Sequence, residues 1–185
     1  MNPIFKIVFV PFLLLSCVCK NKTNSVSTKD SSTLYKVTGK VLKIGAYCGG
    51  AKPTPEIMEQ IQTPKPIPNT TFYIRNDSVN DIDKPIFLEF TTDSLGNFSI
   101  ELPPGKYSIV NSEKKNAVYT DELKKKYQKE TDNYGKIDME CIKEWLKTPD
   151  SVLKVKNSVS NFTVTYYDHC SWYVPCVNYK GPYPP

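Results

Sequence analysis

Arginine is nearly absent from this 185-residue chain, and so is histidine: Arg75 and His169 are the single examples. Lysine therefore carries almost all of the positive charge, and the formal excess is only +5. Phosphate and base recognition leans on the planar arginine fork, so a nucleic-acid-binding role is excluded. One histidine leaves a Ser-His-Asp triad a single choice of base. The nucleophile-elbow pattern G-x-S-x-G and the zinc-protease pattern H-E-x-x-H are both missing. Cysteine is present six times but never in C-x-x-C spacing, which removes the thiol-exchange signature. No apolar run approaches the roughly 20 residues that span a bilayer. These absences speak against an enzyme, and no cofactor is expected.

The longest apolar run is IVFVPFLLL, from Ile7 to Leu15, behind the basic Lys6. It fits the hydrophobic region of an export signal. Leu14-Leu15-Ser16-Cys17 resembles a bacterial lipoprotein signal, with leucine at −3, a small residue at −1 and then cysteine. The resemblance implies removal of residues 1–16 and acylation of Cys17. Cys19 cannot take that role, because Val18 is too large for the −1 position. Buried acyl methylenes, each worth about 0.8 kcal/mol, would hold the protein to a membrane without a spanning helix. Residues 17–33 are rich in Ser, Thr, Asn and Lys and read as a flexible tether. The expected location is the outer membrane of a bacterial envelope, facing either the periplasm or the exterior.

The folded part is organised around residues 91–107, TTDSLGNFSIELPPGKY. A turn at Asp93–Asn97 leads into a short alternating strand, with Phe98, Ile100 and Leu102 on one face. Pro103, Pro104 and Gly105 make the second turn, and Gly96 and Gly105 are both suited to positive φ. The arrangement D-x-x-G-x-F followed by L-P-P-G-x-Y resembles the carboxypeptidase regulatory-like, or transthyretin-like, β-sandwich family. That resemblance implies a mainly β fold, an Ig-like antiparallel sandwich of about seven strands, and no catalytic activity of its own.

The rest of residues 34–168 follows the same rhythm. Strands are expected at 34–44, with Gly39 as a bulge or close backbone approach, at 71–75, at 86–92, from Tyr107 to about 111, at 151–156 and at 161–168. Phe162, Val164 and Tyr166 are placed toward the core. Thr54 is positioned to cap a short helix with Pro55 at its first position. A helical insertion is expected over about 118–147. It contains a lysine-rich, solvent-facing helix and a second helix over 139–147, capped by Asp138, with Ile142 and Trp145 on its apolar side.

The tail, 169–185, reads HCSWYVPCVNYKGPYPP and has no period of either kind. So many aromatic residues argue that it is packed on the domain. With the YCGGA segment at 47–51, it gives the chain a likeness to a group of small Bacteroidota lipoproteins. Outside the cytoplasm, Cys48, Cys141, Cys170 and Cys176 favour two disulfides, with three connectivities open. One bond from Cys48 to the tail and one from Cys141 to the tail would explain how an irregular C-terminus stays docked. The alternative is a metal or hydrolase centre on His169, Cys170 and Cys176, although these lack the close pairs of structural zinc sites. Trp172, Tyr173 and Tyr179 are candidates for a ligand platform. Ser78, Ser94 and Ser151 each stand in an Asp-Ser-apolar tripeptide that resembles the Bacteroidota O-glycosylation acceptor. The functional expectation is a membrane-anchored protein with a binding or structural role in the envelope, toward a protein or glycan partner.

Overall fold

The computed structural model describes residues 33–182. Cys17, the export signal, all but the last residue of the tether and the final three residues lie outside the described residues. Within them two four-stranded sheets face each other, and the fold is a mainly β sandwich. In the first sheet β1 (Tyr35–Ile44) is central. One side of β1 pairs with β5 (Asn97–Leu102) along its first half and with the two-residue β2 (Lys65–Pro66) along its second. Its other side pairs with β8 (Val159–Tyr167). The second sheet runs β4 (Leu88–Thr91), β3 (Thr71–Asn76), β6 (Gly105–Val110), β7 (Ser151–Val155), and is antiparallel throughout.

One pair in the sandwich is parallel. The chain's first and last strands, β1 and β8, run side by side from Gly39–Phe162 to Ile44–Tyr167. A parallel pair needs a long crossover connection, and here nearly the whole domain supplies it. Gly39 is the condition for that pairing. A Cβ at this position would sit 2.0 Å from the Phe162 carbonyl oxygen and 2.8 Å from the Phe98 ring, and the β1–β8 register shifts between Val37 and Gly39. The close backbone approach expected from sequence is what the position provides.

Alternation along the strands fills the space between the sheets. Val37, Val41, Phe98, Ile100, Leu102 and Val164 point inward from the first sheet; Phe72, Ile74, Phe90, Tyr107, Ile109, Leu153 and Val155 point inward from the second. Phe90 joins the two faces, its ring centre 4.6 Å from Phe98 and 5.6 Å from Phe72. Phe162 and Tyr166 are half-buried at the margin of this core.

The turns that shape the central hairpin differ in mechanism. Asp93 Oδ1 accepts from the backbone N–H groups of Leu95 and Asn97, each at 2.8 Å, and Gly96 takes φ +75° where a Cβ would strike the Val41 carbonyl at 2.8 Å. Hydrogen bonds from Asn97, side chain first and then backbone, hold the Asp93 carboxyl below its usual value. Gly105, by contrast, does not have positive φ. It is needed because a side chain there would meet the Tyr107 ring at 3.0 Å, while the Tyr107 hydroxyl donates back to the Pro103 carbonyl at 2.7 Å.

Three helices lie outside the sandwich: α1 (Pro55–Gln62), α2 (Val118–Lys126) and α3 (Met139–Lys147). Thr54 caps α1, accepting from Ile57 N–H, and Asp138 caps α3, accepting from Glu140 and Cys141 N–H groups at 2.9 and 3.0 Å. No residue of α1 is buried. The other two helices build a second, smaller core. Leu123 from α2, Tyr127 at its C-cap, Ile137 from the connecting loop and Ile142 from α3 pack together, with Val174 and Val177 of the tail against them.

Candidate functional site

The only arginine decides how this second core sits on the sandwich. Arg75, at the end of β3, is buried at 3% exposure, and Asn80 beside it at 1%. Arg75 Nη1 donates to Asn80 Oδ1 at 2.6 Å, Nη2 to the Lys115 carbonyl and Nε to the Lys84 carbonyl at 3.1 Å. Asn80 Nδ2 donates in turn to the carbonyls of Lys114 (2.9 Å) and Leu146 (2.7 Å), and its backbone N–H to that of Lys147 at 2.8 Å. Burial lowers the guanidinium's affinity for its proton, and the nearby Asp81 charge opposes that. Each of the three guanidinium nitrogens donates to a backbone oxygen or a side-chain amide. The cation is therefore a clamp between sheet and insertion, with no ion pair to a carboxylate among the described residues.

A second buried charge lies nearby. Lys114 Nζ and Asp150 Oδ1 are 2.9 Å apart, with side chains 9% and 10% exposed. The ammonium also donates to the Thr148 carbonyl at 3.0 Å and lies 4.8 Å from the centre of the Trp145 ring. Asp150 Oδ2 accepts from Asn111 N–H at 2.8 Å and from the Tyr166 hydroxyl at 3.0 Å. Burying an ion pair costs more than its attraction returns unless the remaining lone pairs and protons are satisfied, and here they are. Burial first, and then the Asp150 charge, pushes the Tyr166 hydroxyl far above the ordinary tyrosine range.

This ion pair is the floor of a cleft of about 660 Å³. One wall is the end of β8 with Thr165, Tyr166 and Asp168; a second is the insertion, with Glu113, Tyr119 and Trp145; the third is the tail, with His169, Ser171, Tyr173 and Pro175. Tyr119 leans on Trp145, ring centres 5.9 Å apart, and His169 stacks on Tyr173 at 3.9 Å. Burial, followed by the Glu113 charge, raises the Tyr119 hydroxyl above its usual value. The size falls within the range of small-ligand pockets, about 300–1,000 Å³.

Two disulfides hold the third wall. Cys48, in the loop after β1, bonds Cys170, and Cys141 of α3 bonds Cys176. Each joins the domain to the tail. Both sulfurs of the His169, Cys170 and Cys176 grouping are thus committed to different partners. The metal-centre reading is corrected on this point, since a bonded sulfur is not a thiolate ligand.

The expected aromatic platform is divided. Tyr173 lines the cleft, whereas Trp172 stacks on Tyr179 at 6.1 Å, and Tyr179 continues through Tyr134 to Tyr127. Two of the three platform residues therefore fasten the tail to the small core, and only one faces open space. The serine sites also separate. Ser94 is exposed at the hairpin tip beside Leu95, which is 64% exposed. Ser78 is half-buried, its hydroxyl 3.3 Å from Asp77, and Ser151 opens β7 next to the buried Asp150. Sequence reasoning passed over Tyr119, Glu113 and Lys114, which lie in segments without a motif, and took Asp150 only as the first residue of an Asp-Ser-apolar tripeptide.

No protein-family model matches the chain, and no curated protein matches it either. Among solved structures the chain is similar to the shaft pilin SpaA from Lactobacillus rhamnosus GG, at 15% identity and TM-score 0.36, covering 73% of this chain and 49% of that one. It is similar also to the N-terminal domain of the same pilin (14%, TM-score 0.35, 73% and 92%) and to the Bacillus anthracis TIE protein (13%, TM-score 0.30, 72% and 17%). The chain spans about half the length of the full pilin chain. These likenesses are distant, and the sandwich is established by its own strand pairings.

Proposed function

We propose that this chain is a lipid-anchored protein of the bacterial envelope that binds a partner, without catalysis of its own, at the cleft between β8, the insertion and the tail. The observation that carries the binding role is the cleft's third wall. An irregular tail with two disulfides and a four-ring aromatic ladder is held against the domain. The sandwich core does not need that tail, because its buried cluster is built from the strands alone. The Asp93 turn and the Tyr107–Pro103 bond support a carboxypeptidase regulatory-like sandwich.

In this reading acylated Cys17 holds the protein at the outer membrane, residues 18–33 set its reach, and the stapled domain presents the cleft to a protein or glycan of the envelope. Ser94 is the most accessible of the three candidate glycosylation positions. Two experiments test the proposal. Metabolic palmitate labelling is expected to mark the wild type and to fail in Cys17→Ala; label persisting in that variant overturns the anchor. Cross-linking in intact envelopes is expected to recover a specific partner, and recovery should fall when Tyr173 is replaced by Ala. Replacing His169 by Ala removes the ring stacked on Tyr173 and should weaken partner recovery in part without abolishing function. Loss of function in a folded, normally abundant His169→Ala protein would favour a hydrolase instead.

A further inference from the structure

The charges around the cleft do not cancel. Three carboxylates (Glu113, Asp150 and Asp168) and two lysines (Lys43 and Lys114) line it. Lys114 is held by Asp150 at 2.9 Å, and Lys43 by Asp168 at 3.2 Å. Glu113 has no ion pair, and its carboxylate accepts no hydrogen bond, among the described residues. It is exposed, on the short turn Ser112–Lys114 that leads into the insertion. Its backbone N–H is fixed by Asn111 Oδ1 at 3.0 Å, so the main chain carrying the carboxylate is anchored.

The floor has nothing left to offer a ligand. Lys114's ammonium is directed at Asp150, the Thr148 carbonyl and the Trp145 face, and Lys43, exposed at the rim, is paired with Asp168. What remains at the rim is one unpaired carboxylate beside aromatic rings. Glu113, Tyr119, Tyr166 and Tyr173 all line this one cleft. Aromatic faces carry negative electrostatic potential, and with a carboxylate they favour a cation whose stem is apolar.

We propose that the cleft takes a primary ammonium carried on an aliphatic stem, with Glu113 as its counter-ion and the rings of Tyr119 and Tyr173 packed along the stem. This rests on the cleft being the binding site. Two sources share the chemistry: a lysine side chain of an envelope protein, and a free polyamine.

The test is calorimetric titration of the full chain in detergent at low ionic strength. The probes are an acetylated, amidated Ala-Lys-Ala peptide, the same peptide with norleucine for lysine, spermidine, and a neutral trisaccharide. The lysine peptide should bind, the norleucine peptide should not, and salt should weaken binding. Glu113→Gln should weaken it about tenfold, as expected for losing a charge-assisted contact. Tyr173→Ala should weaken it about fivefold, the scale of leaving roughly one stem methylene uncovered. Both positions are at the surface, and circular dichroism checks that the variants fold. Binding of the lysine peptide without spermidine identifies a protein partner, and stronger binding of spermidine identifies a free amine. Equal binding of the lysine and norleucine peptides, or an unchanged Glu113→Gln titration, overturns the proposal. Trisaccharide binding lost in Tyr173→Ala, with no amine bound, overturns the ammonium assignment but keeps the cleft. Envelope cross-links unchanged in both variants would remove the cleft itself.

Discussion

Replacing Cys141 and Cys176 together by Ser separates the tail from the small core without touching the sandwich. The bond closes a segment of sequence separation 35. By the chain-entropy relation its loss frees about 4 kcal/mol of unfolded-state entropy. The effect is expected to be local, because Cys48–Cys170 still anchors the start of the tail. The hydrogen bonds released are those from Gly135 N–H to Asn178 O (2.7 Å), Asp138 N–H to Cys176 O (2.9 Å) and Lys180 N–H to Asn133 O (2.8 Å). In hydrogen exchange followed by mass spectrometry, amides of 133–142 and 174–180 should lose protection while β1, β3 and β6 keep theirs. Denaturant titration should show an early transition or a midpoint shift matching about 4 kcal/mol, and a protease should cut first in the tail. If all segments lost protection together, the small core would be integral to the sandwich and the two-core account would be wrong. If none did, the aromatic ladder from Tyr127 to Trp172 would be holding the tail by itself.

Other variants test the remaining contacts. Asn80→Ala orphans Arg75 Nη1 and two buried carbonyls, so unfolding free energy should fall by about 3–5 kcal/mol, measured by urea titration. Gly39→Ala places a Cβ within 2.0 Å of the Phe162 carbonyl and should cost roughly 3 kcal/mol or more by the same measurement, the strain forcing β8 off β1. Asp93 titrates lower in the folded state than in the unfolded chain, so its contribution is fully present above the unfolded value of about 4 and fades as pH falls through the folded value. Asp93→Asn should flatten the acid limb of a melting-temperature profile; an unchanged limb would remove the turn from the acid response. Tyr166 holds its proton more tightly when folded, so its contribution is present below about pH 10 and is lost as pH rises through the elevated folded value. Tyr166→Phe should soften alkaline unfolding, read by the same profile.

Much of the architecture could be read from the chain because its causes are local. Alternation placed Phe98, Ile100 and Leu102 inward, and single residues, Thr54 and Asp138, marked helix starts that the structure keeps. Gly39 could be recognised because a strand seldom tolerates glycine without a reason. What could not be read is long-range. Nothing in residues 35–44 shows that the strand's parallel partner is more than a hundred residues away. The lysine-rich helix was read as solvated, and Lys125 and Lys126 are exposed; yet Lys114, just before it, is buried against Asp150. Burial of a lysine depends on a partner 36 positions distant, which no window of sequence displays. The cleft was invisible for the same reason. Its walls come from distant segments brought together by the Arg75–Asn80 clamp, the Lys114–Asp150 pair, the aromatic ladder and the two disulfides.

The two disulfides are interlaced: the order along the chain is Cys48, Cys141, Cys170, Cys176, with first joined to third and second to fourth. A chain synthesised from its N-terminus offers Cys48 and Cys141 to an oxidant before either correct mate exists. The earliest available pairing is therefore a wrong one. Folding of the sheets before oxidation would keep those two thiols apart, and thiol–disulfide exchange would undo the wrong bond once formed. Native pairing thus waits on Cys170 and Cys176, and slow oxidation should give a better yield of the native form than fast oxidation.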